Sequence, residues 1–381
     1  MILFINKRFN NRNGAEKSGS DVVNSIYKSG FPLSLSYIDI NNNFDDIDNI
    51  KKIKILKSPR LKKSINKISF KELFDFTEGK LFDKIRINKI KSLKISLIIS
   101  NSLSAESHAK KLANILNIKS CLIVRESPDF YKNPNLSVNR ILFFNHIVFV
   151  SSNVMNQWTK ISPELKLKSE YIPNTVKESS IKKIKSKSKL FFKNKLGFSQ
   201  NDINVVIVGK FLERKNQNLI INNLDKFYKL NKNIKFHFIG KHFNSYGKKM
   251  KSTLKKNKYK KMVALHGFKK NAHEYIYASD YLFLTAIAEA SPRVVYESML
   301  LNSIVIASDV GGVSELIDKN KTGYIYERNN IDELIDIFYN SINKKNYITI
   351  LQNAEKKYFN YFSNQIHKEN YKKMLTFLYN N

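Results

Sequence analysis

The sequence predicts an α/β protein in which two parallel-sheet domains follow each other along the chain. Its 381 residues suffice for two domains of ordinary size, and 42% of them are apolar, the share of a soluble globular protein. Short apolar segments of strand length alternate with segments whose apolar residues recur every three or four positions. The alternation pauses once, in the Lys/Ser-rich stretch 181–195, and then resumes, which indicates two domains joined by a linker.

The first half opens with a strand, a helix and a second strand. Residues 2–5 are wholly apolar, and the polar segment 6–19 after them is predicted to be a loop. Ser20 or Asp21 is expected to cap the first helix, and Gly30 to end it. The further elements predicted in this half are strands over 33–38, 53–56, 95–100, 120–124, 147–151 and 170–172, and helices over 73–90, 105–116, 139–145 and 152–160.

The second half repeats the pattern, so each half is expected to form a parallel sheet with helices on both faces. We place an N-terminal Rossmann-like domain at 1–175, a second one at 176–355, and a helix at 356–381 that packs back toward the first domain. A cleft between two such domains is a common ligand site. The elements predicted here are strands over 205–208, 235–239, 263–266, 281–285, 304–307 and 323–326, and helices over 216–228, 247–256, 271–278, 292–301, 313–317, 331–343 and 347–378.

The chain is strongly basic, with 66 Lys and Arg against 32 Asp and Glu and a net charge of +34. Such an excess is typical of proteins with an anionic partner, such as nucleic acid, an acidic membrane face or phosphorylated substrates. AT-rich codons produce the same pattern, and Lys, Asn and Ile are abundant here while Gly, Ala and Pro are scarce. Because the charge is spread along the whole chain, codon bias explains it better.

Several classes of protein are disfavoured by the composition. Cys121 is the only cysteine, which excludes an internal disulfide and a zinc site built from several cysteines. The sequence has no apolar stretch of membrane-spanning length, and its first residues lack the pattern of a secretory signal. We therefore expect a cytoplasmic protein, with peripheral contact at the inner membrane face left open.

Two glutamates flank a predicted helix start in the segment AIAEASPRVVYESML at 286–300. Ser291 is a suitable N-cap and Pro292 a suitable first helical residue, so Glu289 would lie just before the helix and Glu297 inside it. A helix N-terminus attracts anions, and carboxylates beside it suit a ligand with both phosphates and hydroxyls. Two solvated surface glutamates would show the same spacing.

Residues 289–297 resemble the Glu-x7-Glu signature of glycosyltransferase family 4, which reads E-(G/A)-x-P-x-V-x-x-E. The resemblance extends over about 170–345 and implies the GT-B fold, two Rossmann-like domains facing across a cleft. Over the first 170 residues it rests on the strand–helix–strand pattern and the loop 13–16. The other matching segments are YIPNT at 171–175, where Thr175 replaces the family's Gly, VVIVGKFLERKNQN at 205–218, HGF at 266–268, SDVGGVSE at 308–315 and KTG at 321–323.

The resemblance implies a role for each matching position. Glu297 would bind the ribose hydroxyls of the nucleotide, and Glu289 the hydroxyls of the donor sugar. Lys210 and Lys215 would pair with the diphosphate, and fixed cations there would stabilise the charge of the leaving group. Gly14 would let the first domain approach the phosphates, although an ordinary turn glycine explains it as well. The remaining residues assigned to donor binding are Gly209, Pro292, Arg293 and Val294.

Two positions depart from the family pattern. Lys210 stands where many members have Arg, so the charge is kept but bidentate phosphate contact is lost. Arg125 stands near the place of a common His, and it is predicted to bind the acceptor or the phosphates. A surface arginine paired with Glu126 is the alternative for this position.

The resemblance implies a retaining transfer from a nucleotide sugar to a glycan or lipid-linked acceptor, without metal or cofactor. Asp46 and Asp48 form a D-x-D pattern, but they lie in an Asn-rich run that we interpret as a solvated loop, so no metal is predicted. A nucleotide-sugar epimerase or a sugar phosphorylase on the same fold remains an alternative. A non-catalytic binder of anions or nucleic acid is a second, although no nucleic-acid motif supports it.

Three basic runs, at 51–67, 182–195 and 248–261, raise the question of membrane docking. A helix over the last run would have a thin apolar face, which favours a solvated helix. Sequence does not establish whether the three runs share one surface.

Overall fold

The computed structural model describes residues 1–6, 14–37, 51–54, 88, 90–343 and 346–380. These residues form two parallel sheets with helices packed against them, one sheet in each half of the chain. The α/β architecture with two Rossmann-like units is thereby confirmed. Within the same ranges, no helix has both the length and the apolar character needed to cross a membrane.

The first sheet has seven strands among the described residues. They are β1 (Ile2–Asn6), β2 (Leu33–Tyr37), β3 (Lys51–Lys54), β4 (Leu97–Ser100), β5 (Lys119–Val124), β6 (His146–Phe149) and β7 (Ser169–Tyr171). Their order is β3-β2-β1-β4-β5-β6-β7, and all neighbours run parallel. The strand order reverses between β1 and β4, and the crevice at such a reversal is where ligands bind in open α/β sheets.

The second sheet has six strands in the described part of the chain. They are β8 (Ile203–Val208), β9 (Ile234–Ile239), β10 (Val263–Gly267), β11 (Tyr281–Leu284), β12 (Ile304–Ser308) and β13 (Tyr324–Tyr326). Their order is β10-β9-β8-β11-β12-β13, again all parallel. The reversal lies between β8 and β11.

The helices lie between the strands and at the C-terminal end. They are α1 (Gly14–Lys28), α2 (Glu106–Leu116), α3 (Asn135–Leu142), α4 (Ser152–Ile161), α5 (Glu178–Lys185), α6 (Lys189–Leu196), α7 (Asn218–Ile221), α8 (Leu224–Leu230), α9 (Ser245–Lys256), α10 (Ala272–Ala278), α11 (Arg293–Leu300), α12 (Val313–Leu316), α13 (Ile331–Asn343), α14 (Tyr347–Tyr361) and α15 (Asn364–Asn380). Short 3-10 turns occur at Pro128–Phe130, Pro163–Lys168, Glu213–Lys215 and Lys260–Met262.

Each face of the second sheet carries its own apolar core because side chains alternate along a strand. Val205 and Ile207 of β8 point into the core that also buries α9, whereas Val206 points into the core that buries α5. The side chains that α9 contributes are Met250 and Leu254. The helices α5 and α9 therefore lie on opposite faces of this sheet.

The chain passes between the two halves twice, once at 172–178 and once at 361–364, and the second pass takes α15 back to the first sheet. Tyr371 and Leu375 of α15 are buried in the first core, and His367 Nδ1 lies 2.7 Å from Ser25 Oγ of α1. Thr175 connects the two passes. Its hydroxyl lies 3.0 Å from Tyr358 OH and donates to Asn364 Oδ1 at 3.0 Å.

A second contact joins the halves at the start of α4. Glu315 of α12 accepts hydrogen bonds from Ser151 Oγ at 2.7 Å and Ser152 N at 3.0 Å, and also from the backbone of Asn153. A carboxylate is stabilised at this place by the free N–H groups and the dipole of a helix N-terminus. Gly312 permits the approach, since a Cβ there would lie 2.5 Å from Ser151 Oγ.

Several predicted boundaries are wrong. The first helix begins at Gly14 rather than at Ser20 or Asp21. The expected linker 181–195 holds most of α5 and α6, whose Ile181 and Phe192 are buried against the second sheet. The helix expected over 216–228 is divided into α7 and α8, and the helical tail into α14 and α15. The predicted residues 73–87 and the D-x-D pattern at 46–48 lie outside the described residues.

Candidate functional site

A cleft of about 560 Å³ lies between the two halves, at the carboxyl ends of the strands beside both reversals of strand order. Eight basic side chains line it against three acidic ones, so it is suited to an anionic ligand. The ten residues that the sequence assigned to the site all line this cleft: Gly14, Arg125, Gly209, Lys210, Lys215, Glu289, Pro292, Arg293, Val294 and Glu297.

Glu289 lies in the loop between β11 and α11 and is 7% exposed. The Lys215 ammonium contacts its Oε1, and Arg214 Nη1 donates to the same atom at 2.9 Å. Burial would raise the pKa of this carboxyl, but Lys215 and Arg214 outweigh burial and hold the pKa below its usual value. Glu289 is therefore an ionised acceptor, held rigidly by two cations.

Glu297 lies within the second turn of α11 and is 5% exposed. Its Oε1 lies 3.2 Å from His273 Nε2 and 3.8 Å from Arg293 Nε. Burial again acts to raise the pKa, but His273, Lys17 and Arg293 lower it well below its usual value. A buried, ionised carboxylate at the edge of a cleft can accept hydrogen bonds from neutral hydroxyls of a ligand.

The start of α11 differs from the prediction. The helix begins at Arg293, with Pro292 at the N-cap position and no side chain capping the first turn. Ser291, the predicted cap, lies with its Oγ 2.7 Å from Tyr296 OH instead. Because no side chain occupies them, the first N–H groups of α11 remain suited to an anion. Val294 lines the cleft beside them.

The end of β8 supplies the opposite wall. Gly209 has φ +152°, and a Cβ on Gly240 would lie 1.8 Å from Gly209 O, so the two strand ends approach more closely than side chains permit. Lys210 follows and is exposed, and its carbonyl accepts a hydrogen bond from Gln217 Nε2 at 3.1 Å. Its ammonium has no ion-pair partner within the residues that the structure describes.

Arg293 joins the two halves of the molecule. Its Nη1 donates to Asp21, to Ser18 Oγ at 3.1 Å and to Thr175 O at 2.9 Å. The side chain is 9% exposed, and Nη1 is surrounded by these protein acceptors, whereas the buried Nε has no hydrogen-bond partner among the described residues. The residue lines the cleft as predicted, but its charge is directed at the first domain.

Arg125 is likewise held by protein groups. Its Nε donates to Asn101 O at 3.0 Å, its Nη2 to Asn101 Oδ1 at 2.9 Å, and its Nη1 to Asn174 Oδ1 at 2.6 Å. Asn174 in turn donates to Ser291 O at 3.3 Å. The alternative of a surface arginine paired with Glu126 is wrong, because the guanidinium bonds to Asn101 and Asn174 and it is the Arg125 backbone N that donates to Glu126.

Three residues of the site were not found from the sequence: Lys17 and Arg214, which line the cleft, and His273, which contacts Glu297. Lys17 lies in the first turn of α1, close to the predicted Gly14. Arg214 adjoins a predicted lysine, so its position in the sequence was a usable signal. His273 gave no signal, because only the packing of α10 beside α11 places it next to Glu297. Among the described residues, no three His, Cys, Asp or Glu side chains are grouped as metal ligands.

Comparison with known proteins agrees with this geometry. Residues 188–357 match the family model of glycosyl transferases group 1. A comparison with curated protein sequences finds no match.

Three solved structures illustrate the likeness in fold. HepE of Anabaena, in complex with UDP and glucose, has a TM-score of 0.78 at 18% identity, with 98% of this chain and 99% of that chain covered. A glycosyltransferase from Rickettsia africae has a TM-score of 0.74 at 19% identity, with 100% and 98% covered. The sucrose-phosphate synthase of Thermosynechococcus elongatus has a TM-score of 0.77 at 13% identity, with 99% and 98% covered.

These TM-scores and coverages establish a shared fold over nearly the whole chain, and the resemblance inferred from the sequence is confirmed at the level of the group. Residues 188–357 of this chain resemble the glycosyl transferases group 1, and the chain as a whole has the GT-B fold.

Proposed function

We propose that this protein is a glycosyltransferase that moves a sugar from a nucleoside-diphosphate sugar to an acceptor. One observation carries the proposal. Two buried, ionised glutamates, Glu289 and Glu297, flank the uncapped start of α11, and Lys210 and Lys215 face it from the end of β8. This arrangement offers acceptors for hydroxyls on both sides of a site for phosphates.

The nucleoside is assigned to the Glu297 side of the cleft. A ribose presents two adjacent hydroxyls, and an ionised carboxylate accepts hydrogen bonds from both. Phe268 and Lys269, which follow β10, line the same side. Specificity for one base would come from this neighbourhood.

The diphosphate is assigned to the centre, between the start of α11 and the two lysines. The leaving nucleoside diphosphate gains negative charge as the glycosidic bond breaks, and cations fixed in advance stabilise that charge without reorganisation. Lys215 is anchored by Glu289, whereas Lys210 is exposed and adaptable. Because lysines and helix N–H groups supply the positive charge, we propose that the reaction needs no metal.

The donor sugar is assigned to Glu289, and the transfer is proposed to retain the anomeric configuration. Glu289 is paired with Lys215 and Arg214, so it is suited to hold hydroxyls rather than to attack carbon. The acceptor oxygen would attack the face from which the diphosphate departs. The acceptor's proton passes to the departing phosphate oxygen, so the bonds broken and formed balance without a protein nucleophile.

The acceptor is assigned to the first-domain wall, which includes Arg125, Glu126 and Phe130. A glycan or a lipid-linked glycan is the proposed class, and the cytoplasm the proposed compartment. A nucleotide-sugar epimerase would convert the donor without an acceptor, and a phosphorylase would require inorganic phosphate. Product analysis with and without acceptor separates these reactions from transfer.

Thermal unfolding of the purified protein with UDP, GDP and ADP, each with and without a chelator, tests donor binding directly. A ligand that binds only the folded state stabilises it by mass action. We expect one base to give the largest shift, and the shift to persist with chelator. If none of the three nucleotides raises the unfolding temperature, the donor site is refuted. If the chelator abolishes the rise, metal independence is refuted.

A further inference from the structure

One long segment of the second domain carries no acidic residue. Between Asp225 and Glu274 the sequence has 15 lysines, no arginine and no Asp or Glu. Over the whole chain, acidic residues are half as numerous as basic ones, so codon bias toward lysine does not by itself explain their absence here. The segment concentrates uncompensated positive charge.

The segment folds into one side of the second sheet. It supplies the edge strand β10, its neighbour β9, and the helix α9 that covers them. The helix turns Met250 and Leu254 into the core and its lysines toward solvent. The exposed lysines of α9 are Lys248, Lys249, Lys251, Lys255 and Lys256.

Contacts join this helix to the neighbouring lysines. The rings of Tyr228 and Tyr259 lie 4.7 Å apart and link the end of α8 to the turn after α9. Asn257 Nδ2 donates to Ile221 O at 3.2 Å, which holds the same turn against α7. The exposed lysines beside these contacts are Lys229, Lys232, Lys258, Lys260 and Lys261.

The charge on this surface is not neutralised within the protein. Of the segment's lysines, Lys226 alone has an ion-pair partner in the part of the chain that the structure describes, namely Asp332 at 2.6 Å. An apolar side chain also protrudes here, since Phe243 is 76% exposed and lies 5.9 Å from Lys251 Nζ. We name as the basic face the exposed lysines of 229–261 together with Phe243.

We propose that the basic face docks the protein on an anionic lipid bilayer. Lysine is a point charge on a flexible stem, which suits the loose arrangement of lipid headgroups, whereas phosphate recognition in nucleic acids favours the planar fork of Arg. Binding of single-stranded nucleic acid also uses a series of stacking aromatics along a groove. Here the exposed Phe243 stands among lysines, and the exposed Tyr228 beside them packs against Tyr259, a composition typical of interfacial membrane contact.

The docked orientation has a direct consequence for the cleft. Lys241 and Phe268, whose ammonium and ring lie 5.6 Å apart, belong to the same acid-free segment and line the cleft. The basic face therefore ends at the rim of the cleft. Docking through it brings the cleft close to the bilayer surface.

Co-sedimentation with vesicles tests the proposal. The vesicles are phosphatidylcholine alone, or phosphatidylcholine with roughly one third phosphatidylglycerol, at low and at physiological ionic strength. The test variant replaces Lys248, Lys251 and Lys255 with Gln. The matched control replaces Lys182, Lys183 and Lys356 with Gln, which removes the same charge. All three lysines are exposed. Two of them lie on α5, which packs on the opposite face of the sheet.

The wild-type protein should bind the anionic vesicles and not the neutral ones. Each lysine near an anionic surface raises the partition coefficient onto the vesicles roughly five-fold. The partition coefficient of the test variant should therefore be about 100-fold lower, and that of the control nearly equal to the wild-type value. Replacing Phe243 with Ser should weaken binding further, with unchanged thermal unfolding in every variant. Unchanged thermal unfolding shows that a loss of binding does not come from misfolding.

Two results would overturn the proposal. If the control variant loses as much binding as the test variant, the interaction follows total charge and the basic face is not a docking surface. If a short single-stranded DNA binds more tightly than the anionic vesicles at the same salt and competes with them, the face serves nucleic acid instead.

Discussion

Replacing Glu297 with Gln tests the assignment of the nucleoside most directly. The substitution keeps the shape of the side chain and one acceptor oxygen but removes the charge. Because Glu297 is 5% exposed, solvent does little to screen the interactions that it makes. The expected result is weaker binding of the nucleoside diphosphate without unfolding.

The magnitude follows from the kind of bond that is lost. A hydrogen bond to a charged group contributes about 1.5–3 kcal/mol, and Gln retains part of it. We therefore expect a loss of about 1.5–2 kcal/mol, a rise in Kd of roughly 10- to 30-fold. Arg293, left without this neighbouring carboxylate, should attract a free diphosphate at least as well as before.

Calorimetric titration of two ligands separates the ribose from the phosphates. The Kd of the best-binding nucleoside diphosphate should rise in Glu297→Gln, whereas that of inorganic pyrophosphate should stay the same or fall. Glu274→Gln is the matched control, since it makes the same charge change at a residue that pairs with Lys195 at 2.8 Å outside the cleft. An unchanged nucleotide Kd, or an equal loss for pyrophosphate, would refute the assignment.

Three further substitutions follow from the structure. Lys215→Met should lower the transfer rate by about 10²- to 10³-fold because it removes a cation facing the leaving group. The rate is measured in single-turnover assays, and a smaller loss would contradict this role. Gly311 has φ +52°, and its Cβ would lie 1.6 Å from Glu289 O, whereas Gly197 has φ +69° in open space. Gly311→Ala should therefore cost about 1–3 kcal/mol more than Gly197→Ala in urea unfolding, and equal costs would contradict the clash. Burial, with two nearby arginines, lowers the pKa of His367 from 6.5 to about 3, so only the unfolded state takes up its proton between these values. The stability that His367 contributes is complete above its unfolded pKa and falls by about 1.4 kcal/mol per pH unit below it, so His367→Gln should flatten the loss of stability between about pH 6.5 and 3.

The strands were predictable because most of them are buried on both faces and read as short apolar runs. The start of α1 was not predictable from the sequence. Its first turns bury Glu16, Ser18 and Ser20 rather than apolar side chains, so they show no hydrophobic period. Gly19 within the helix also suggests a loop, yet a Cβ there would lie 2.6 Å from Asn101 Nδ2, so close packing requires a residue without a side chain.

The candidate site was predictable as a set of positions but not as a set of contacts. The motif at 289–297 brought both glutamates to the cleft because their spacing around a helix start is local. The predicted cap at Ser291 was wrong because Tyr296 OH, a tertiary neighbour, competes for its hydroxyl. The pairing of Arg293 with Asp21 joins residues far apart in the sequence, which no local pattern indicates.

Thr175 connects the two passages of chain between the halves at one point, through Tyr358 and Asn364. Two separate connections would each have to deform if the halves moved apart, but two connections tied together act as one pivot. An opening of the cleft that keeps these bonds is then a rotation about Thr175, and atoms move in proportion to their distance from it. The rim of the cleft would move far, while Thr175, a residue that is only 1% exposed, would stay in place.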